Sequence, residues 1–188
     1  LDAGAAVGGT SAGAAVMSDP MIGSGTSLGA LSLPRASGPG DAEVSDALWV
    51  TKGFGFFTRG IVDQHFDTRA RLARLVEAAM VEDGARRLAF GVAEDSAMVY
   101  DRSTDAAEVV GAGGLYVVDT RNATRDAVGG RTRIRGALLH YLTPGDRIEP
   151  GTGRIEAVGK TPIDDASRRF AVRRSEEHTS ELQSRITI

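Results

Sequence analysis

The chain has 188 residues, 41% of them hydrophobic, and it contains no cysteine. Its 22 basic and 25 acidic side chains give a formal net charge of −3, so no strong positive field attracts nucleic acid or anionic lipid. No run of 18 apolar residues predicts a membrane span, and without cysteine the chain can form neither disulfides nor thiolate metal sites. We therefore expect a small substrate or a peptide as partner, with no nucleic acid and no membrane.

The two ends of the chain set the limits of the expected domain. Because Leu1 is not a methionine, we expect an N-terminal part to be missing. Residues 174–188 resemble the translation of a sequencing-library adapter, which predicts an artefactual tail that is disordered or loosely structured. Residues 1–173 show neither an internal repeat nor a linker, so we predict one partial domain there. The expected location is the cytoplasm, and the missing N-terminal part leaves export open.

The first expected elements are a strand, a tight turn and a helix. Small apolar residues favour a strand at Leu1–Val7, glycines predict a sharp turn at Gly8–Gly13, and Ala14–Met17 can begin a helix. The stretch Ser24–Asp46 is rich in glycine, serine and proline. We expect it to form an irregular surface loop, of the kind that often covers an active site.

Further along, one helical pattern is followed by a strand-rich second half. The helical period starts at Asp67 and predicts a helix that ends near Gly84. Its apolar stripe consists of Leu72, Leu75, Val76, Ala79 and Met80. Apolar runs predict strands at Arg87–Val92, Ala97–Tyr100, Ala107–Val110, Gly114–Val118 and, as the final strand, Arg133–Leu142.

Ser11 is the candidate nucleophile. It lies at the centre of Gly9–Gly13, a G-x-S-x-G pattern in which small neighbours let a serine occupy a strained turn between a strand and a helix. Such a turn exposes the hydroxyl and directs the backbone N–H of Ala12 toward a developing oxyanion. A structural glycine-rich turn and a phosphate-binding loop stay open as alternatives, although the lysine of a P-loop is absent.

His65 is the candidate general base. It follows an apolar stretch that ends at Asp63 and Gln64, which would place it at the C-terminal edge of a strand. Open α/β sheets hold their functional sites at that edge. A lone histidine is more often structural, but basic residues follow this one within a few positions.

These basic residues are Arg69, Arg71 and Arg74. Helical spacing puts Arg69 on the stripe that faces the core, where a guanidinium needs an anionic partner. Cations near a helix N-terminus oppose the helix dipole, which favours a binding role for them. The sequence leaves two alternatives, recognition of substrate carboxylates and salt bridges to neighbouring acids. These acids are Asp63, Asp67 and Glu77.

Together these motifs resemble the cyanophycinases, serine peptidases of family S51. The resemblance rests on Gly8–Ser18, on Asp63–Phe66 with the three arginines, on Gly91–Ala97 and on the turn at Leu142–Asp146. It implies a flavodoxin-like three-layer α/β sandwich related to class I glutamine amidotransferases, of which this chain would be the C-terminal portion.

The resemblance also implies the residues of the site. The triad would be Ser11, His65 and Glu94, with no metal and no cofactor. Ala93 departs from the family pattern, which usually has an aspartate before the glutamate. The second oxyanion donor of the family lies in the missing N-terminal part, so the fragment itself is expected to be inactive.

The implied reaction is hydrolysis of cyanophycin, a poly-aspartate with arginine on each side-chain carboxyl, to β-Asp-Arg dipeptides. For this substrate Arg69, Arg71 and Arg74 would bind carboxylates. Asp63 and Gln64 would bind guanidinium groups or shape the pocket, although Asp63 could instead only brace the arginines. A shorter β-aspartyl peptide as substrate and a homodimer both stay open.

Two rival functions and one rival triad also stay open. A related S51 dipeptidase for aspartyl or isoaspartyl dipeptides would keep the triad without needing the arginines. A non-catalytic binding protein of the same fold would keep only the glycine-rich turn. In the residue order of α/β-hydrolases, the base would be His140 with Asp101 or Asp119.

Overall fold

A computed structural model of the chain describes residues 4–81, 88–129 and 131–160. Its helices and strands all lie in one compact unit, residues 1–158. The helices are α1 (Ala12–Ala15), α2 (Ser27–Ser32), α3 (Pro39–Ser45) and α4 (Leu72–Val81). The strands are β1 (Met21–Ser24), β2 (Trp49–Thr51), β3 (Ile61–Asp63), β4 (Leu88–Val92), β5 (Ser96–Asp101), β6 (Ala106–Gly111), β7 (Leu115–Asp119), β8 (Thr124–Val128), β9 (Arg131–Arg135), β10 (Leu138–Leu142), β11 (Arg147–Glu149) and β12 (Arg154–Glu156).

The described strands form two four-stranded sheets and two separate pairs. The central sheet has the order β10-β7-β4-β3, with β3 and β4 parallel and the other neighbours antiparallel. The outer sheet has the order β12-β11-β6-β5 and is antiparallel throughout. The separate pairs are β1 with β2 and β8 with β9. The described residues therefore form a mixed α/β structure.

The central sheet has a hydrophobic core on each face. On one face, Ile61 and Ala89 pack in a cluster with buried residues of α2 and α4. On the other face, Val62 and Phe90 pack in a cluster that includes Ile148 of the outer sheet. Successive side chains of a strand point to opposite faces, so the same strands serve both cores. The layers are thus helices, central sheet and outer sheet.

The finer flavodoxin-like arrangement stays a prediction. A doubly wound sheet carries helices on both of its faces. In the described ranges, α2 and α4 cover one face of the central sheet, and the outer sheet covers the other.

The irregular loop expected over Ser24–Asp46 is wrong, because two short helices form there. The side-chain oxygen of Thr26 accepts a hydrogen bond of 3.0 Å from the backbone N–H of Gly29, which caps the N-terminus of α2. Pro39 begins α3, at a position where its missing N–H leaves no helical bond unmade.

Two strand predictions also need correction. Residues 4–7 of the expected strand Leu1–Val7 pair with no other described strand, and a strand requires such a partner for its backbone groups. The expected strand Arg133–Leu142 is divided between β9 and β10 by a turn at Gly136, whose φ of 76° interrupts extended backbone. It is also not the final strand, because β11 and β12 follow it.

Some predictions fall outside the described residues, namely the helix end at Gly84, the residue Arg87 and the tail at 174–188. Within the described ranges, none of the helices combines the length and the apolar character that crossing a membrane requires.

A buried ion pair fixes the end of β3. The carboxylate of Asp63 is fully buried and accepts hydrogen bonds from Nε and Nη2 of Arg74 at 2.8 and 2.6 Å. From α4, Arg74 also donates from Nη1 to the carbonyl oxygen of Gly25 at 2.6 Å. The pair thus connects β3, α4 and the residue that follows β1.

We expect Asp63→Ala to lower the free energy of unfolding by about 3–5 kcal/mol, because it leaves the buried guanidinium of Arg74 without its partner. Urea denaturation of the chain measures this change. The control is Asp126→Ala, which removes the partner of the exposed Arg133 and should change stability little. Equal losses of unfolding free energy in the two variants would contradict the expectation that breaking the buried pair is more costly than breaking the exposed pair.

Candidate active site

Ser11 lies immediately before α1 in a strained conformation. Its φ of 53° and ψ of −125° lie outside the regions that most residues adopt. The turn is tight because Gly9 lies against Gly13, so that a Cβ at position 9 would be 2.1 Å from the carbonyl oxygen of Gly13. The residue itself is exposed, which leaves its hydroxyl accessible.

His65 connects Ser11 to Glu94 through hydrogen bonds at both ring nitrogens. Its Nε2 lies 2.9 Å from the Oγ of Ser11, and its Nδ1 lies 2.5 Å from Oε1 of Glu94. With the ring proton on Nδ1, the imidazole donates to the carboxylate and accepts from the serine hydroxyl. The three side chains predicted from the sequence therefore form one hydrogen-bonded row.

Glu94 is held from two sides in the turn between β4 and β5. Its backbone N–H donates to Oδ1 of Asp67 at 3.2 Å, and its Oε1 accepts from Oγ1 of Thr68 at 3.1 Å. The hydrogen bond from His65, with a smaller contribution from Thr68, holds the pKa of Glu94 below its ordinary value of 4.5. Ala93, the departure from the family pattern, is buried at this turn, and Asp67 supports the turn from outside.

Parallel pairing brings His65 and Glu94 to the same edge of the central sheet. His65 comes two residues after the end of β3, and Glu94 comes two residues after the end of β4. Because β3 and β4 are parallel neighbours, these two ends lie side by side. Phe66 strengthens the connection, since its backbone N–H donates to the carbonyl oxygen of Val92 at 3.2 Å.

A glycine allows the residue after His65 to pack closely on β4. The ring of Phe66 is buried against Gly91, where a Cβ would lie 2.4 Å from ring atoms. Any side chain at position 91 would therefore displace Phe66, and with it the backbone that carries His65.

A buried serine connects α1, the helix that follows Ser11, to β3. The hydroxyl of Ser18 donates to the carbonyl oxygen of Ala15 in α1 and accepts from the backbone N–H of Val62, both at 3.1 Å. This hydroxyl satisfies a strand N–H that would otherwise be buried without a partner. It fixes the position of α1 relative to the strand that precedes His65.

The three arginines differ in their surroundings. Arg74 is buried against Asp63. Of the two alternatives left open by the sequence, its contacts are those of a salt bridge to a neighbouring acid. Arg71 is partly buried, and its Nη1 donates to the carbonyl oxygen of Gln64 at 2.7 Å and lies 3.6 Å from Asp63. Burial and then repulsion from Arg74 lower the pKa of Arg71.

Arg69 is exposed, so the expectation that it faces the core is wrong. The reason is the start of α4, which begins at Leu72 rather than at Asp67. Ala70 has a φ of 48°, and this left-handed conformation interrupts helical backbone. Arg69 therefore lies in the turn before the helix, where its guanidinium faces away from the core.

A large cleft lies beside the hydrogen-bonded row. Its volume is about 1380 Å³, and Ser11, His65, Glu94 and Gln64 all contribute to its wall. The side-chain oxygen of Gln64 is buried and has no hydrogen-bond partner among the described residues. A buried acceptor without a partner is uncommon, and the residue that carries this one contributes to the cleft wall.

The rival base His140 lies in β10, opposite Val117 of β7. No hydrogen bond between described residues joins it to Asp119, which binds Arg121, or to Asp101, which accepts from Ser103. The described residues also contain no group of three or more histidine and acidic side chains that could hold a metal ion.

Several supporting residues were not predicted from the sequence. Asp67 and Thr68 hold Glu94, Ser18 connects α1 to β3, and Phe66 packs on Gly91. Thr68 follows His65 by three residues, which is the spacing of a turn, but nothing in the sequence shows that a distant glutamate meets it.

The described residues form a mixed α/β protein in which a serine, a histidine and a glutamate make one hydrogen-bonded row. The chain is similar to curated cyanophycinases. It is 36% identical to the cyanophycinase of Geminocystis herdmanii over 160 residues, which are 80% of this chain and 53% of that protein. It is 33% identical to the Trichormus variabilis cyanophycinase over 145 residues, and 32% identical to the Synechococcus elongatus cyanophycinase over 155 residues.

These two alignments cover 74% and 80% of this chain, and each covers 44% of the relative. The chain is thus a relative of the cyanophycinases, and the resemblance found in its motifs is confirmed. It spans about half the length of the curated relatives that it matches. No protein-family model matches the chain.

We expect His65→Ala to raise the pKa of Glu94 toward its ordinary value, because the hydrogen bond from His65 is the largest cause of its depression. Thr68→Val should raise the same pKa by less. Since the pKa is depressed in the folded state, the associated stabilisation is present above the unfolded-state pKa and is lost as the pH falls through the folded-state pKa. Carbon-13 NMR titration of the Glu94 carboxylate measures the shift. An unchanged pKa of Glu94 in His65→Ala would contradict the hydrogen bond between the two side chains.

Proposed function

We propose that the protein is a serine peptidase that hydrolyses cyanophycin to β-Asp-Arg dipeptides, with Ser11, His65 and Glu94 as its catalytic triad. The observation that carries this proposal is the continuous row of hydrogen bonds from the Ser11 hydroxyl through His65 to Glu94. The similarity to curated cyanophycinases gives the substrate class. Because the chain spans about half of those relatives, the activity is proposed for the whole protein.

The geometry suits nucleophilic catalysis. The Oγ of Ser11 attacks the carbonyl carbon while Nε2 of His65 takes the hydroxyl proton, which it then gives to the leaving amine. Glu94 holds the imidazole in the tautomer with the proton on Nδ1 and stabilises its charged form. The backbone N–H of Ala12 would donate to the oxyanion, and water then releases the acyl group. None of these steps requires a cofactor or a metal.

The substrate contacts follow from the exposure of each group. The exposed Arg69 and the partly buried Arg71 do not line the cleft, so they would bind carboxylates of a substrate that extends past it. The buried side-chain oxygen of Gln64 would accept from a guanidinium group after its side chain turns toward the cleft. Asp63 and Arg74 are bound to each other, so their contacts support a bracing role rather than direct substrate binding.

Several finer features are part of the same proposal. The whole domain would have a flavodoxin-like three-layer architecture, to which this chain contributes the parallel pair β3 and β4. The protein would act in the cytoplasm, with a homodimer as a compatible assembly. The isolated chain would turn over little substrate, because a single N–H from Ala12 stabilises an oxyanion less than the pair of donors that acyl transfer normally uses.

We expect Ser11→Ala and His65→Ala to lower kcat on cyanophycin by about 10⁴- to 10⁶-fold, because triad residues act as a unit. The full-length protein is assayed for release of dipeptides and for labelling by a fluorophosphonate probe. His140→Ala is the matched control, since its imidazole lies in β10 without a bond to the row, and it should retain turnover. Loss of turnover in His140→Ala with retention in His65→Ala would refute the triad, and absence of labelling in the unmodified protein would support a non-catalytic binding protein.

We expect Arg71→Ala to raise KM for cyanophycin by about 10- to 100-fold with a smaller effect on kcat, because it removes a charge-assisted contact to a substrate carboxylate. Neither Arg71 nor Arg35 lines the cleft, but Arg71 is bonded to the backbone of Gln64, which does, whereas Arg35 is an exposed cation. Arg35→Ala therefore serves as the control. Hydrolysis of α-aspartyl dipeptides is measured in parallel. Efficient dipeptide hydrolysis that Arg71→Ala leaves unchanged, together with little action on cyanophycin, would instead favour the aspartyl dipeptidase function.

A further inference from the structure

One wall of the cleft is an open sheet edge. The outer sheet has the order β12-β11-β6-β5, so among the strands of the described ranges β5 is an edge strand and pairs with β6 alone. The register runs from Ser96 opposite Gly111 to Asp101 opposite Ala106 without a shift. An edge strand presents a row of backbone N–H and C=O groups to whatever lies beside it.

The pairing with β6 determines which backbone groups point outward. The carbonyl oxygen of Asp95 accepts a hydrogen bond of 2.8 Å from the backbone N–H of Ala112. Inward and outward groups alternate along an antiparallel strand, so the outward N–H and C=O groups belong to Ser96, Met98 and Tyr100. Three residues of β5 thus offer a donor and an acceptor each.

The cleft follows this edge over its whole length. Every residue from Asp95 to Ser103 contributes to the cleft wall, as do Ser11, His65 and Glu94. Residues from both faces of β5 contribute to the cleft wall. This is expected when a cleft lies along the edge of a strand, because a cleft over one face would contact only every second residue. A strand of six residues is about 20 Å long, enough to align an extended peptide of similar length.

The two edges of the outer sheet differ in how they are protected. The opposite edge strand, β12, has three residues and carries the charges of Arg154 and Glu156. Short length and charge are common protections of sheet edges. In contrast, β5 has six residues of which only the last, Asp101, is charged, contains neither lysine nor proline, shows no bulge, and exposes Val99 with 56% of its surface accessible. The edge of β5 has few of these protections and lies beside Ser11 and His65, so an extended peptide in the cleft can pair with it.

We propose that the free edge of β5 binds the main chain of an extended peptide substrate by antiparallel or parallel strand addition and leads it to Ser11. This inference rests on the proposed peptidase function and deepens it. Main-chain hydrogen bonds supply the affinity, and side chains of the peptide alternate between the two faces. The exposed carboxylates of Asp95 and Asp101, at the two ends of β5, favour a peptide that carries guanidinium groups.

Hydrogen exchange tests this binding mode in the full-length protein with Ser11→Ala, which binds substrate without consuming it. The probe is a synthetic hexa-aspartate with arginine on each side-chain carboxyl. The amides of Ser96, Met98 and Tyr100 should exchange fast without the probe and become protected with it. The amides of Ala97 and Val99, which pair with β6, are the internal control and should be protected in both states.

Two N-methylated versions of the probe give a second, independent measurement. Methyl groups on every main-chain nitrogen in one version should weaken binding about tenfold or more, because they remove the donors from both edges of the peptide. The version methylated on alternate nitrogens should bind like the unmodified probe, because its identical residues let it pair with β5 through the unmethylated edge after a one-residue shift of register. Equal affinity of the two versions would overturn the proposal.

The outcomes separate this inference from the proposed function. Turnover of cyanophycin without protection of Ser96, Met98 and Tyr100 overturns strand addition and leaves the peptidase function standing. Protection by the probe without turnover in the unmodified protein supports strand addition and removes the function. Protection in the absence of probe overturns strand addition, and sedimentation then shows whether a second copy or another part of the same polypeptide covers the edge.

Discussion

The arrangement of this chain depends on the buried ion pair between Asp63 and Arg74. Its carboxylate ends the strand that leads to His65, and its guanidinium comes from the helix that covers the central sheet. A buried pair of this kind is a weak source of net stability, yet it is costly to break, so it specifies one position of α4 relative to β3. That specificity matters here because His65 follows Asp63 by only two residues, and a shift of the strand end would move the imidazole away from Ser11.

Around this pair, the site is assembled from elements that are distant in sequence. Parallel pairing of β3 and β4 brings His65 and Glu94 together, and the hydroxyl of Ser18 places α1, the helix that follows Ser11, beside them. Thr68 and Asp67 then hold Glu94 from the turn that follows His65. The turn before α4 therefore supports Glu94 and also keeps Arg69 exposed. A longer helix, as the sequence predicted, would have buried that cation.

The motifs of the chain predicted the side chains of the site better than its architecture. Glycines around Ser11 reveal a tight turn because few other residues tolerate it, and Asp63–Phe66 ends an apolar run, which locates a strand edge. The supports of Glu94 could not be predicted, because they arise from contacts across 26 and 27 positions that no local pattern encodes. The helices α2 and α3 were missed for a related reason: their glycine and proline content indicates a loop, whereas caps and tertiary packing make short helices possible.

Three non-glycine residues of the site, Ser11, His65 and Asp95, have positive φ values of 53°, 45° and 53°. Such conformations cost on the order of 1–3 kcal/mol each, and they persist only where the surrounding structure enforces them. Redesign of this chain for heat resistance would gain from glycine at these positions, because glycine accepts positive φ without a steric cost. A thermostability screen that chose such substitutions would remove the Ser11 hydroxyl and the His65 imidazole before it disturbed the fold, so it should hold these positions constant.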